Sequence, residues 1–189
     1  MIVIGITGTL GAGKGTIVEY LCNNYDFNHY SVREYLINEI KKRNLEVNRD
    51  SMTMVANDLR AKHSPSYIVD QLYKRAIKEN NNCIIESIRT PGEVNSLKAK
   101  SHFYLFAVDA DPKIRYQRIK MRKSSTDNID FETFILNEKR EMSTTDENKQ
   151  NLGKCIQMAD YKFNNDGDIT TLNHTIDKII HQILSHEQN

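Results

Sequence analysis

Short apolar runs alternate with longer amphipathic stretches along the chain. Five of these runs have the length and the β-branched or aromatic content of buried strands, and they cover residues 2–7, 27–31, 83–87, 103–108 and 161–164. Apolar residues also recur at helical spacing at about 65–79 and at about 170–185. The alternation predicts an α/β protein with a five-stranded parallel sheet and helices on both of its faces.

The remaining segments bear on domain organisation. The helix at about 65–79 is expected to have Ser64 as its N-cap and Pro65 in its first turn. Residues 41–62 and 123–130 are polar and lack a strand pattern, and we expect both to form flaps. The chain contains no internal repeat and no linker rich in Pro and Gly, so a single domain is predicted over residues 1–189.

Charge and composition argue against several classes of function. The chain has 26 Lys and Arg against 25 Asp and Glu, and a net charge of +1 gives no field that would draw it to nucleic acid or to an acidic membrane. No apolar run approaches the roughly 20 residues of a membrane helix, and the N-terminal segment lacks the basic region of a signal peptide. We therefore expect a cytoplasmic monomer or homodimer. Cys22, Cys83 and Cys155 lack metal-binding spacing and are expected to be reduced.

The segment "GTLGAGKGT", at 8–16, follows the first predicted strand and opens a predicted helix. It contains G-x-x-x-x-G-K, in which glycines turn backbone N–H groups toward phosphate oxygens and the lysine reaches the β- and γ-phosphates. The dinucleotide-binding pattern fails, because Thr16 stands where its last glycine would be. The pattern predicts a loop that binds ATP through Gly8, Gly11, Ala12, Gly13, Lys14, Gly15 and Thr16.

The residue after Lys14 affects how the loop would hold Mg²⁺. In many phosphate loops a Ser or Thr there is a direct Mg²⁺ ligand, and Gly15 has no hydroxyl. Thr16 is better placed for the α-phosphate than for the metal. We therefore expect Mg²⁺ to be held by substrate phosphates and by water anchored on Glu86 and Glu34. Glu34 also completes an S-x-x-E capping box with Ser31, so both roles stay open for it.

The sequence "GAGKGT" resembles the loop of adenylate kinase and related nucleoside monophosphate kinases, in which Lys-Gly-Thr is usual. The resemblance implies the P-loop NTPase fold and phosphoryl transfer from ATP, with Mg²⁺, to a small-molecule nucleotide. It also implies a helical acceptor-binding segment at about 31–80 and a short lid at about 122–131. The arginine that binds the acceptor phosphate in that family is replaced here by Ile37, and Arg33 is the local substitute.

The stretch "IIESIRTPGEV" after the third strand resembles the Asp-Gly-x-x-Arg stretch of nucleoside monophosphate kinases. It is still more similar to the Asp-x-Arg-x-Pro-x-Glu stretch of phage-type deoxynucleoside monophosphate kinases. The resemblance implies that Arg89 binds the acceptor phosphate, that Glu86 replaces the aspartate and that Glu93 reads a nucleobase amino group. Glu86 is alternatively a partner in a structural ion pair. Thr90, Pro91 and Glu93 alternatively form a helix start with a capping box.

Arg115, Arg118 and Arg122 recur at spacings of three and four and share one face of a predicted helix. Such basic faces are often only solvated. This helix, however, follows the fourth strand and runs into the polar flap where adenylate-kinase-like enzymes begin their lid. The resemblance implies that the three arginines are catalytic and lie over the donor phosphates, with Arg140 returning a fourth guanidinium from beyond the flap.

The stretch "ADYKFNNDGDITTL" resembles the last strand and loop of dephospho-coenzyme A kinases and their archaeal relatives. It implies that Asn165 and Gly167 lie against the donor adenine, mainly through backbone. The Asp-x-Asp of that family is absent, since residues 31–33 are Ser-Val-Arg. This favours a nucleoside or deoxynucleoside monophosphate as acceptor. Dephospho-coenzyme A, with Glu86 as the base, is the first alternative, and a non-catalytic nucleotide-binding regulatory module is the second.

Overall fold

The fold is seen in a computed structural model that describes residues 1–100, 102–122 and 129–186. The strands in these ranges are β1 Val3–Gly8, β2 Asn28–Ser31, β3 Cys83–Glu86, β4 Phe103–Asp109 and β5 Tyr161–Asn164. They form one parallel sheet in the order β2-β3-β1-β4-β5. The predicted five-stranded α/β fold is therefore confirmed, with small shifts at the strand ends.

The described helices are α1 Lys14–Tyr25, α2 Val32–Lys42, α3 Arg49–Lys62, α4 Tyr67–Glu79, α5 Pro91–Lys98, α6 Pro112–Met121, α7 Phe131–Met142, α8 Leu152–Gln157 and α9 Ile169–His186. Successive side chains of a strand point to opposite faces of the sheet. Accordingly, Val3 packs in a core with α2, α3, α4 and α5, whereas Ile4 packs in a second core with α1 and α9. No helix in the described part of the chain is long and apolar enough to cross a membrane.

The central strand explains where a ligand can bind. β1 is buried along its whole length, as a parallel strand covered on both faces must be. The chain passes from β1 to β2 and β3 on one side and to β4 and β5 on the other, so the strand order reverses at β1. Ligands of such sheets bind at the carboxyl ends of the strands beside the reversal. The fold therefore sets the phosphate loop after β1 next to the residues that follow β3.

Residues 41–62 form helical structure and not a polar flap, which corrects the prediction for that segment. The segment contains the end of α2 and all of α3. Asn48 caps α3, and the reciprocal bonds between Asn48 and Ser51 form a capping box. The buried face of α3 packs on the core through Val55, Ala56 and Leu59. Because these apolar positions have helical spacing, the helix is stable on the sheet despite its polar outer face.

The start of α4 and the predicted lid differ from the other predicted segments. α4 begins at Tyr67 with Ser66 at the cap position, so Ser64 and Pro65 lie before the helix and not at its start. Residues 123–128, which make up most of the predicted lid, lie outside the described residues.

Candidate active site

The phosphate loop is held by glycines in a left-handed conformation. Gly11 and Gly13 have φ angles of 80° and 104°, which favour glycine. A Cβ atom at Gly11 would lie 2.5 Å from the carbonyl oxygen of Arg115, and one at Gly13 would lie 2.2 Å from Nδ2 of Asn165. Gly15 differs, because a Cβ atom there would meet no heavy atom within 4 Å in the described structure. Packing therefore requires glycine at 11 and 13, but not at 15.

Lys14 is folded back onto the loop. Its buried Nζ donates hydrogen bonds to the carbonyl oxygens of Gly8 and Thr9, at 2.9 and 2.8 Å. Burial and, after it, the charge of Arg89 lower the pKa of Lys14 from 10.5 to about 8, while the carboxylate of Glu86 opposes the shift. A cation that is poorly solvated in the free protein gains most when phosphate oxygens surround it.

A cavity of about 470 Å³ extends from the phosphate loop toward α2 and α3. Among the described residues, six cations and three carboxylates line it: Lys14, Arg33, Arg49, Arg60, Arg89, Arg122, Glu19, Glu86 and Glu141. Its volume lies in the range of small-molecule sites. The excess of positive charge in a partly enclosed cleft favours an anionic ligand.

A carboxylate bridges two of the cavity arginines. Nη1 of Arg89 donates to Oε2 of Glu141 at 2.6 Å and to Oε1 of Gln150 at 2.9 Å. The other oxygen of Glu141 accepts a hydrogen bond from Nη2 of Arg49 at 2.6 Å. Burial opposes ionisation of Glu141, but the two guanidinium groups hold its pKa below the ordinary value. An ionised carboxylate thus fixes both arginines in the wall of the cavity.

Glu86 ends β3 and lines the same cavity. Its Oε2 lies 3.2 Å from Nε2 of His29. Burial opposes ionisation of Glu86, but the contact with His29 and the charge of Lys14 lower its pKa. An ionised carboxylate here has the chemistry to accept a proton or to anchor metal-bound water. No group of three His, Cys, Asp or Glu residues suited to a metal ion occurs among the described residues.

Arg33 and Glu34, the acceptor residues predicted at the start of α2, differ in their position relative to the cavity. Arg33 lines the cavity, as does Arg89. Glu34 is exposed and is not part of the cavity wall. Its backbone N–H donates to Oγ of Ser31 at 3.2 Å, which is the capping contact expected of S-x-x-E. The structure therefore shows Ser31 capping α2 through the backbone of Glu34 and places Glu34 outside the cavity that Glu86 lines.

Glu93 is fully buried at the start of α5 and does not line the cavity. Its Oε2 accepts the N–H groups of Arg89 and Thr90, at 2.8 and 3.1 Å. Its Oε1 accepts hydrogen bonds from Nε and Nη2 of Arg60, at 3.1 and 2.9 Å. These four bonds fill the acceptor sites of a carboxylate, so no oxygen remains for a nucleobase. The geometry matches the capping alternative and corrects the nucleobase contact.

Arg115 is buried beneath the phosphate loop, and its predicted place over the donor phosphates is corrected. Its Nε donates to the carbonyl oxygen of Ala110 at 2.7 Å, and Nη1 donates to that of Leu10 at 3.3 Å. Nη1 and Nη2 both bond the carboxylate of Glu138 on α7. Arg115 therefore supports the loop backbone at Leu10 and does not line the cavity.

Replacing Arg115 with methionine is expected to lower the free energy of unfolding by about 3 kcal/mol, because it leaves Glu138 and two carbonyl groups without their donor. Urea denaturation followed by circular dichroism measures the change. Lys113→Met alters an exposed residue of the same helix and should change the stability by about 0.5 kcal/mol or less. A loss no larger for Arg115→Met than for the control would contradict the supporting role.

A second cavity, of about 330 Å³, lies on the other side of the loop. Its described lining is Gly13, Thr16, Arg118, Met121, Arg122, Asn165, Gly167 and Ile169. Nη2 of Arg118 donates to the carbonyl oxygen of Asn165 at 2.9 Å, and Nδ2 of Asn165 donates to that of Ala12 at 2.8 Å. Asn165 thus braces the loop through its side chain, in addition to any backbone contact. Arg140 is exposed beside Asp50 and lines neither cavity.

The residues of the first cavity that belong to no motif in the sequence include Arg49, Arg60, Glu141 and Gln150. The sequence does contain a signal for Arg49 and Arg60. Asn48 and Ser51 are typical of a helix start, and apolar residues at 52, 55, 56 and 59 have helical spacing, which would place both arginines on one helix. Glu141 and Gln150 have no comparable local signal.

Comparison with known proteins identifies relatives over the whole chain. A family model described as an AAA domain matches residues 4–146. A UPF0200 protein of Methanococcus maripaludis is 30% identical over 191 residues, which cover 97% of this chain and 100% of the relative. A UPF0200 protein of Methanocaldococcus jannaschii is 28% identical over 188 residues, with 98% and 92% covered.

Solved structures of kinases share the fold. Shikimate kinase from Bacteroides thetaiotaomicron has a TM-score of 0.60 and 14% identity, over 95% of this chain and 98% of that one. Shikimate kinase from Aquifex aeolicus has a TM-score of 0.54 and 15% identity, over 100% and 99%. At such identities the likeness shows the fold alone, which is that of the P-loop kinases.

Proposed function

The chain belongs to the AAA domain family and is a relative of the UPF0200 proteins, and we propose that it is a single-domain P-loop kinase. The proposed reaction transfers the γ-phosphoryl group of ATP to a nucleoside or deoxynucleoside monophosphate. One observation carries the proposal. A single cavity has the phosphate loop at one end and arginines of α2, of α3 and of the segment after β3 in its wall.

The charge of the cavity favours a phosphate as acceptor. A phosphate monoester is already largely ionised at neutral pH and needs neutralisation more than it needs a base. Arg33, Arg49, Arg60 and Arg89 bring four guanidinium groups to the wall, and guanidinium forks match phosphate oxygens. Part of this charge is balanced, because Glu141 bonds Arg49 and Arg89 and Glu93 bonds Arg60.

The residues that line the two cavities have distinct roles in the proposed transfer. Lys14 moves from the loop carbonyls to the β- and γ-phosphates, and Thr16 binds the α-phosphate. Arg118 and Arg122 line the second cavity and neutralise the donor, while Arg89 bridges donor and acceptor. Mg²⁺, when bound, supplies further charge neutralisation, held by substrate phosphates and by water on Glu86. Positioning and charge supply most of what phosphoryl transfer requires of the protein.

The second cavity fits the donor base. Met121 and Ile169 present apolar surface there, with 73% and 60% of their areas exposed. Large exposed apolar side chains on either side of a cleft suit the flat face of a nucleobase. Arg118 and Gly167 line the same cavity. We assign this cavity to the adenine of ATP.

Glu86 supports a second candidate. Its carboxylate is ionised and lines the cavity near Lys14, so it has the chemistry to take the proton of an alcohol acceptor such as dephospho-coenzyme A. A non-catalytic nucleotide sensor is the third candidate. Its motivation is Ile37 in place of an acceptor arginine and Glu86 in place of an aspartate.

A panel assay separates the three candidates. ADP formation from ATP and Mg²⁺ is measured with each nucleoside monophosphate, each deoxynucleoside monophosphate and dephospho-coenzyme A. We expect acceptor-dependent ADP with one or more of the monophosphates. ADP with dephospho-coenzyme A alone would favour the alcohol acceptor. Tight nucleotide binding without acceptor-dependent ADP would refute both kinase functions.

A further inference from the structure

We infer that Arg60 and Arg49 of α3 form a subsite that binds the phosphate monoester of the acceptor. The inference rests on the proposed function and deepens it, because it names the group on the acceptor that the protein recognises. Arg60 belongs to no motif in the sequence.

The first observation is an incomplete set of hydrogen bonds on a buried cation. Arg60 lines the cavity although only 1% of its surface is exposed. Glu93 accepts the hydrogen bonds of its Nε and Nη2. Its Nη1 has no hydrogen-bond partner among the residues that the structure describes. Buried donors are nearly always paired, so this nitrogen lacks an acceptor that a ligand in the cavity would supply.

The second observation is that the guanidinium of Arg60 is held in one orientation before any ligand binds. Glu93 is fixed by the capping box of α5, and the same carboxylate accepts the backbone N–H of Arg89. The guanidinium of Arg60 therefore has a defined orientation relative to the segment that carries Arg89. A preorganised donor binds an anion without a further loss of side-chain freedom.

The third observation is that a second guanidinium with a spare donor lies on the same helix. Arg49 bonds Glu141 through Nη2, whereas its buried Nε has no partner in the described part of the chain. The charge of Arg60 is compensated by Glu93, but Arg49 shares the carboxylate of Glu141 with Arg89. The subsite therefore retains net positive charge. A phosphate dianion, with two charges and three free oxygens, satisfies these donors better than a carboxylate or a hydroxyl.

Binding of simple probes tests the subsite without relying on turnover. The loop is first saturated with Mg²⁺ and a non-hydrolysable ATP analogue, and ribose 5-phosphate is then titrated by ³¹P NMR. Ribose and glucuronate, followed by calorimetry, replace the phosphate with a hydroxyl and with a carboxylate. We expect ribose 5-phosphate to bind at least about tenfold more tightly than either.

Two variants address Arg60. Arg60→Lys keeps a positive charge opposite Glu93 but loses the fork, and Arg60→Met with Glu93→Gln replaces the buried ion pair by neutral groups of similar size. Each should weaken ribose 5-phosphate binding about tenfold or more and leave the affinity for the ATP analogue within about twofold. Lys62→Met is the matched control, because Lys62 is exposed on the same helix and pairs with Asp58.

The outcomes separate the subsite from the kinase activity. Folded Arg60 variants that bind ribose 5-phosphate like the wild type, or glucuronate binding as tightly as the phosphate, would overturn the subsite. Arg60-dependent binding without acceptor-dependent ADP would retain the subsite and refute the kinase. If neither variant folds, a crystal structure of the wild type with both ligands decides. Phosphate bonded to Arg60 supports the inference, and phosphate elsewhere overturns it.

Discussion

Replacing Lys14 with alanine is expected to lower acceptor-dependent ADP formation by a factor of about 10³ or more, because the transferring phosphoryl group loses the cation aimed at it. Steady-state assays with the acceptor found in the panel measure the loss. Lys62→Ala, at an exposed site outside the loop, should retain wild-type turnover. A folded Lys14→Ala variant with wild-type turnover would refute the assignment of the loop.

The same substitution should leave the fold intact. Burial depresses the pKa of Lys14 to about 8 in the free protein, against 10.5 for the unfolded chain. Between these pH values the unfolded chain binds more protons, so the wild type gains stability from this group as the pH rises through that window. The alanine variant lacks this gain. Urea unfolding of both proteins at pH 8 and pH 10 should show a smaller rise in the free energy of unfolding for the variant.

Replacing Arg89 with methionine is expected to reduce kcat/KM by about 10³, since one guanidinium neutralises charge between donor and acceptor. Arg89→Lys restores the charge without the fork and should recover only part of the loss. The affinity for the ATP analogue should change little, because the backbone of the loop is untouched. Arg43→Met is the control, as Arg43 pairs with Asp58 outside both cavities. A loss confined to ATP binding would contradict the bridging role.

The sheet and the loop were predictable from the sequence because their signals are local. A buried parallel strand is a run of apolar residues, so β1 can be recognised from its own sequence without knowledge of the residues it contacts. Gly11 and Gly13 are set by φ angles that few other residues adopt, so the loop is readable from spacing alone. The order of the strands then places the residues after β3 beside the loop. Glu86 and Arg89 were predicted from the resemblance of the stretch that follows the third strand.

The rest of the site depends on pairing between distant residues. Arg60 and Glu93 are 33 positions apart, and Arg115 and Glu138 are 23 apart. No spacing rule indicates that a given arginine is buried against a given glutamate, so Arg115 looked like a member of a basic face. Glu93 satisfied both a capping pattern and a resemblance, and only its four hydrogen bonds distinguish the two.

Position 15 of the phosphate loop, occupied by Gly15, can be substituted without strain on the loop. Glycine lowers helix stability by about 1 kcal/mol relative to alanine, and neither its φ nor any described neighbour requires it at this position. The metal preference of the loop is therefore separable from its folding. Replacing the side-chain hydrogen of Gly15 with a hydroxymethyl group would give the loop its own oxygen ligand for Mg²⁺. The protein would not need to repack around it.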